Sequence, residues 1–203
     1  MSAIRFTIGA RSTTSRARLG LVETPHGSFE TPAFMPVGTR ASVKGLFPAH
    51  VAATGAQIIL NNTYHLMLRP GSELVKNMGG VQRFMNWNGP ILTDSGGYQA
   101  YSMADSNAVD DDGVTFKSHI DGMMVRLTPE RAMQVQNDLG SDIMMALDDC
   151  PPSEGGREGA EEVDGVGTGG PPVPRGGEGR EGREGRDPRL ARVLARDAKG
   201  AGQ

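Results

Sequence analysis

The chain has 203 residues, a formal net charge of −3 at pH 7 and a single cysteine, Cys150. This balance excludes an overall basic, nucleic-acid-coating protein, although a local basic surface stays compatible with it. One cysteine excludes an intramolecular disulfide and argues against a structural zinc site, which usually needs at least two thiolates. Because no apolar run approaches the ~18 residues of a membrane span and residues 1–18 are too polar for a signal peptide, a soluble cytoplasmic protein is predicted.

The first third of the globular sequence predicts antiparallel strands followed by helices and one buried strand. Residues 4–38 alternate in "RLGLVET" and turn at "TPHG", which is typical of paired strands. A helix is predicted over 48–54, ending at Gly55, and a second over 72–78. Between them the apolar run 56–60, "AQIIL", is short enough to be a buried strand.

The predicted elements of the following residues are, in order, a strand, a hairpin, a helix and a strand. Residues 90–93, "PILT", form a second apolar run, and "GVTFKSHIDGMMVRLT" predicts a hairpin turning at Asp121 and Gly122, whereas "VDDDG" at 109–113 is predicted to be a solvated turn. Thr128 is placed to cap a helix that ends at Gly140. The third apolar run, 142–147, closes the series.

Polar residues follow all three apolar runs, at 61–63, 94–99 and 148–150. In α/β folds the reactive groups gather at the carboxyl ends of parallel strands. The sequence therefore predicts an α/β fold with three parallel strands whose ends share one site.

Each side chain at these ends has a structural and a functional interpretation. "DSGG" at 94–97 is either a turn or a carboxylate beside backbone that a ligand can approach closely. Tyr98 either packs or stacks on a planar heterocycle, and His65 is either a structural hydrogen-bonding residue or part of the site.

Two carboxylates end the third run. In the structural interpretation, Asp148 and Asp149 cap a following helix. In the functional interpretation, the carboxylate of Asp148 accepts hydrogen bonds from the N1–H and the exocyclic amine of a guanine edge. Cys150 is interpreted as a small buried residue without signs of thiol activation.

Several ordered motifs between Phe6 and Pro152 resemble one family, the tRNA-guanine transglycosylases or queuine tRNA-ribosyltransferases. The motifs are "TPAFMPVGT", "NTYHLMLRPG", "ILTDSGGYQ", "GVTFKSHIDG", "LTPERAMQVQNDLGSDI" and "ALDDCPP". The resemblance covers the N-terminal portion of the family's length, well under half of it. It implies that residues 1–154 are the first part of a (β/α)8 TIM barrel preceded by a small antiparallel sheet.

The family's activity implies a role for each matching residue. Members exchange guanine at the wobble position of GUN-anticodon tRNAs for a 7-deazaguanine by a ping-pong reaction, in which a carboxylate attacks the ribose and the incoming base later displaces the enzyme. By motif position, Asp94 is the general acid/base and Asn62 supports it. The base-binding residues implied are Ser95, Gly96 and Gly97 lining the pocket, Tyr98 stacking on the base, Gln99 beside it and Asp148 at its guanine-like edge.

The same resemblance implies partners and a substrate subtype. tRNA and a 7-deazaguanine base are the implied ligands, and members dimerise. Cys150 is typical of bacterial members and implies 7-aminomethyl-7-deazaguanine rather than queuine.

The sequence departs from the family after Glu154. Residues 155–203 are rich in Gly, Arg, Glu and Pro, predicted to be a disordered tail, and interpreted as an out-of-frame reading of a GC-rich gene. The family's nucleophilic aspartate, its Gly-Gly-Leu loop and its zinc ligands are not found in them. We therefore expect no cofactor in this chain, and open strand edges that reduce its stability or promote association.

Two alternatives stay open at this point. One is a non-catalytic tRNA-binding subunit or an inactive fragment, although a subunit of that kind is expected to retain a full barrel and a zinc site. The other is an archaeal-type transglycosylase that acts elsewhere on tRNA, which is expected to carry an additional RNA-binding domain.

Overall fold

A computed structural model describes residues 4–102, 107–110 and 112–148. The predicted tail, with Asp149 and Cys150, lies outside these residues. The elements in chain order are β1 (Arg5–Arg11), β2 (Arg18–Thr24), β3 (Gly27–Thr31), α1 (Pro48–Ala53), β4 (Ile59–Asn61), α2 (Thr63–Leu68), α3 (Ser72–Asn77), α4 (Val81–Met85), β5 (Ile91–Thr93), α5 (Gly97–Ser102), β6 (Asn107–Asp110), β7 (Gly113–Lys117), β8 (Met124–Leu127), α6 (Pro129–Leu139) and β9 (Ile143–Met144).

The N-terminal strands form the predicted antiparallel sheet, in the order β1-β2-β3. Phe29 is buried on one face, and the ring of Phe6 packs so closely on Gly20 that a Cβ there would overlap it. On the other face Leu19 and Leu21 are exposed. The alternation in "RLGLVET" was thus a correct sign of a strand, but its leucines remain exposed in the described part of the chain.

The three apolar runs form one parallel sheet, in the order β4-β5-β9. This confirms the predicted mixed α/β character and the predicted parallel strands, and the structure adds their order. The strands are shorter than the runs, because a run records burial whereas a strand also needs ladder hydrogen bonds. Ile58, for example, is fully buried but precedes the first residue of β4.

A third sheet, β6-β7-β8, contains the predicted hairpin. The prediction of a solvated turn over 109–113 was wrong at its start, since Val109 and Asp110 pair with Val114 and Gly113 in β6 and β7. The short helices α2, α4 and α5 were also missed. Each has five or six residues, and the residue before α2 and the residue before α4 make no side-chain cap hydrogen bond, so the usual sequence signs of a helix start are weak there.

Two groups of buried side chains hold these elements together. The first joins the parallel sheet to α1, α2, α3, α4 and α6, and the second joins α2, α5 and α6 to the β7–β8 hairpin. The first comprises Ala41, Val51, Ile59, Leu66, Val75, Val81, Met85, Trp87, Ile91, Val135 and Leu139, and the second comprises Tyr64, Ala100, Val114, Phe116, Leu127 and Ala132. In the part of the chain described, no helix is long and apolar enough to cross a bilayer.

Helix α6 has the ends that the sequence predicts. The hydroxyl of Thr128 accepts a hydrogen bond from the backbone N–H of Arg131 at 3.2 Å, and Pro129 lies in the first turn. Gly140 ends the helix in the left-handed conformation, with φ of 74°. The predicted cap and stop are confirmed.

Thr128→Ala is expected to lower the free energy of unfolding by about 1 kcal/mol, because the Arg131 N–H loses its capping oxygen. Thr128→Ser keeps the hydroxyl and serves as the matched control. Urea denaturation of both variants measures the difference. Equal stabilities for the alanine and serine variants would contradict a capping role.

Candidate active site at the carboxyl ends of the parallel strands

The polar segments that follow β4, β5 and β9 lie together at one edge of the parallel sheet. The backbone N–H of Asp94, just after β5, donates to the carbonyl of Asn61 at the end of β4. Asp148 lies beyond β9 and contacts Ser95. The prediction that the three strand ends meet is confirmed as geometry.

Three donors orient the carboxylate of Asp94. The side-chain amide of Asn62 and Nε2 of Gln99, at 3.1 Å, both donate to Oδ2. The backbone N–H of Thr63 donates to Oδ1 at 2.8 Å. Because these donors come from the start of α2 and from α5, the carboxylate direction is set by two helices that flank the strand ends.

Sequence reasoning gave Thr63 no individual role. Its hydroxyl donates to the backbone carbonyl of Asp94 at 2.5 Å, in addition to the contact made by its N–H. Thr63 is fully buried and is the first residue of α2. A polar residue directly after a buried strand was the available signal, but its partner becomes visible only when β4 and β5 are paired.

Ser95 joins the ends of β5 and β9. Its hydroxyl donates to Oδ1 of Asp148 at 2.6 Å and accepts from the backbone N–H of Gly97 at 3.2 Å. Ser95 is buried, whereas Asp148 is exposed. The two carboxylates of the predicted site are therefore linked through consecutive residues, Asp94 and Ser95.

Both glycines of "DSGG" are packed against neighbouring backbone. Gly96 has φ of 83°, and a Cβ on it would lie 3.2 Å from the backbone nitrogen of Tyr64. A Cβ on Gly97 would lie 2.6 Å from the carbonyl oxygen of Asp148. Backbone packing thus requires both glycines, so close approach of a ligand to them stays a prediction.

Tyr98 lies at the start of α5, beside this cluster. Its side chain is 59% exposed, which leaves the ring accessible to a planar ligand. A packing role, the structural interpretation of the sequence, does not fit a ring so exposed among the described residues. Stacking on a base stays a prediction.

Comparison with known proteins identifies the family. The family model described as queuine tRNA-ribosyltransferase matches residues 12–163. The chain belongs to this family. The queuine tRNA-ribosyltransferase of Macrococcus caseolyticus is 55% identical over 152 residues, which are 75% of this chain and 40% of that protein. The relative from Lysinibacillus sphaericus is 56% identical over 150 residues, 74% of this chain and 39% of that protein. The relative from Acetivibrio thermocellus is 57% identical over 152 residues, 75% of this chain and 41% of that protein. The chain thus spans about two fifths of the length of these relatives.

The resemblance to queuine tRNA-ribosyltransferases implies a zinc site near the C-terminal end of intact family members. Within residues 4–102, 107–110 and 112–148, no group of three or more His, Cys, Asp or Glu side chains is arranged to hold a metal ion.

Two histidines lie next to the cluster in this family member. The hydroxyl of Tyr64 is 3.0 Å from Nδ1 of His119, and the rings of His65 and His119 are 5.8 Å apart. Burial is the main cause that lowers the pKa of His65, with Arg40 and His119 adding to it and Asp94 opposing it. Burial also raises the pKa of Tyr64. His65 therefore favours the neutral form, and Tyr64 keeps its proton.

Proposed function

We propose that this chain provides the base-recognition half of a tRNA-guanine transglycosylase site, and that the complete enzyme exchanges wobble guanine in GUN-anticodon tRNAs for a 7-deazaguanine in the cytoplasm. One observation carries the proposal beyond family membership. Asp94 and Asp148 follow neighbouring parallel strands and are linked by Ser95, whose hydroxyl lies 2.6 Å from Asp148. Two oriented carboxylates at one sheet edge suit a ligand that must both be recognised and exchange a proton.

In this proposal Asp94 is the general acid/base. A base that leaves or joins the ribose changes its protonation state, so a carboxylate must give or take a proton at a ring nitrogen. Asn62, Thr63 and Gln99 fix the direction of the Asp94 carboxylate by donating to it. Asn62 is thus the supporting residue of the proposal, and Gln99 acts at the edge of the base pocket.

Asp148 binds the guanine-like edge. N1–H and the exocyclic amine of a guanine or 7-deazaguanine both donate, and a carboxylate can accept them together. The Ser95 hydroxyl already donates to Oδ1 of Asp148 and so fixes the rotation of this carboxylate. Gly96 and Gly97 line the pocket, and the exposed ring of Tyr98 stacks on the base, an interaction worth ~1–3 kcal/mol in nucleic-acid proteins.

The remaining family properties belong to the same proposal. The parallel sheet β4-β5-β9 is the first part of a (β/α)8 barrel, and the intact enzyme is a homodimer. The substrate base is 7-aminomethyl-7-deazaguanine, an assignment that rests on Cys150. By the family resemblance the attacking carboxylate lies beyond the matched residues, and we propose that the 203 residues do not exchange the base by themselves.

Incubation of the 203-residue chain with unmodified tRNA and labelled guanine is expected to give no incorporation, because the ribose-attacking group is missing. A chimera is the matched positive control: residues 1–150 of this chain joined to the remaining C-terminal part of the Macrococcus caseolyticus relative, which is 55% identical over the shared region. The chimera is expected to incorporate labelled guanine. Incorporation by the chain alone would contradict the proposed division of the site, and a folded but inactive chimera would contradict the proposed function.

A further inference from the structure

Arg40 is placed beside the proposed base site by the pairing of its neighbours. Val37 forms a parallel bridge with Leu60, and the N–H of Gly38 donates to the Leu60 carbonyl at 2.7 Å. Residues 38–41 therefore pass the carboxyl end of β4, immediately before α2 begins. Arg40 is exposed and makes no hydrogen bond or ion pair within the described residues.

The next group beside the site is the imidazole ring of His65. Nδ1 is buried and makes no hydrogen bond among the described residues. A proton on Nδ1 would be a buried donor without an acceptor, whereas a bare nitrogen leaves only a weak acceptor unpaired, so the ring takes the tautomer with hydrogen on Nε2. A structural hydrogen-bonding role for His65 thus lacks the hydrogen bond at Nδ1 that it would need among the described residues. This supports the other interpretation, in which His65 is a residue of the site.

His119 supplies a second imidazole ring beside His65. The hydroxyl of Tyr64 keeps its proton and lies 3.0 Å from Nδ1 of His119, so it is able to donate to that nitrogen. When it donates, the hydrogen of a neutral His119 ring is on Nε2. The His65 and His119 rings are 5.8 Å apart at 76°, and His119 is exposed. The segment that carries Arg40 and the two imidazole rings thus lie beside the start of α2.

We propose that Arg40, His65 and His119 bind a backbone phosphate of the RNA whose base enters the Asp94 site. A phosphodiester offers several acceptor oxygens and one negative charge, which match one guanidinium and two N–H donors. The carboxylate of Asp94 accepts hydrogen bonds from Asn62, Thr63 and Gln99, but these neutral donors leave its negative charge in place, so the attraction of an anion to this position depends on the charge of Arg40. This inference rests on the proposed function, since it assumes that the substrate is RNA.

The two kinds of donor give different signatures in RNA binding. Arg40→Gln removes a charge, so the affinity of the 203-residue chain for a 17-nucleotide GUN anticodon stem–loop is expected to fall about 2- to 10-fold, with the slope of log K against log salt reduced by about 0.7. His65→Phe keeps a ring but removes a neutral donor. It is expected to weaken binding by a similar factor and to leave the slope unchanged. Fluorescence anisotropy over a salt series measures both quantities.

Arg83→Gln is the matched control, because Arg83 is an exposed arginine on α4, lining a separate cavity with His26 and Gln82. It is expected to change neither affinity nor slope, whereas Arg40→Lys should restore the slope. Should His65→Phe fail to fold, Arg40→Gln decides the question alone, since its side chain is exposed. Equal affinity and slope for wild type and Arg40→Gln would overturn the site.

Inorganic phosphate distinguishes a free-anion site from an RNA backbone site. At matched ionic strength, low-millimolar phosphate is expected not to displace the stem–loop; displacement would overturn the assignment to RNA. Failure of the proposed function itself has another readout, namely absence of guanine incorporation by the folded chimera. Normal incorporation with RNA binding indifferent to Arg40→Gln would remove the phosphate site only.

Discussion

Asp94→Asn in the chimera is expected to lower guanine incorporation at least about 100-fold, within the range by which general acid–base groups accelerate reactions. Asparagine preserves the size of the side chain but cannot carry the proton of the leaving or incoming base. In addition, Oδ2 of Asp94 accepts from the amides of both Asn62 and Gln99, and an asparagine NH2 group at that position would face two donors instead of accepting from them. The variant therefore loses the proton acceptor and weakens its orientation together.

The control for this experiment is another carboxylate away from the site. Asp112 is exposed in the turn between β6 and β7, and Asp112→Asn is expected to leave incorporation unchanged. Filter binding of labelled tRNA over time measures both rates. If the Asp94→Asn chimera exchanged guanine at a rate close to that of the parent, Asp94 would not be the acid/base.

Asp142→Ala is expected to produce the largest loss of stability among single carboxylate changes, about 2–3 kcal/mol, because it leaves a buried donor without an acceptor. Oδ2 of Asp142 accepts from the backbone N–H of Ile91 at 2.9 Å and from Nε2 of Gln82 at 3.0 Å. Oδ1 lies 2.8 Å from Nδ1 of His26 and accepts from its backbone N–H at 3.2 Å. This one side chain thus ties the β2–β3 turn and α4 to the amino end of β5.

Two variants make the stability measurement specific. Asp142→Asn retains one accepting oxygen and should lie between wild type and alanine. Glu23→Ala, an exposed position on β2, should stay within about 0.5 kcal/mol of wild type. Urea denaturation of the 203-residue chain gives the free energies of unfolding. An Asp142→Ala value indistinguishable from that of Glu23→Ala would refute the structural role.

The role of Asp142 also shows a limit of sequence reasoning. The sequence analysis gave Asp142 no role beyond being the first residue of the third apolar run. Its carboxylate oxygens accept hydrogen bonds from His26, Gln82 and Ile91, which lie 116, 60 and 51 residues away along the chain. No local pattern carries such pairings, because they depend on which strand lies beside which.

The sequence by itself determined features whose causes are local. Helix α6 begins at Thr128 and ends at Gly140, because a capping hydroxyl and a left-handed glycine act within one turn. The three apolar runs predicted buried strands, and the ordered motifs predicted the family. The helix ends, the three strands and the family were confirmed, since each depends on neighbouring residues or on many motifs in fixed order, but the third strand, β9, is only half-buried.

The tertiary structure alone decided how the site residues meet. Asn62, Thr63 and Gln99 converge on Asp94, and Ser95 reaches Asp148, because β4, β5 and β9 pair in parallel and end at the same edge. The same packing left Nδ1 of His65 buried and without a hydrogen-bond partner in the described part of the chain, which no sequence pattern indicates. Side-chain hydrogen bonds between distant segments follow from strand pairing and register, and the hydrophobic pattern of a single chain specifies neither uniquely.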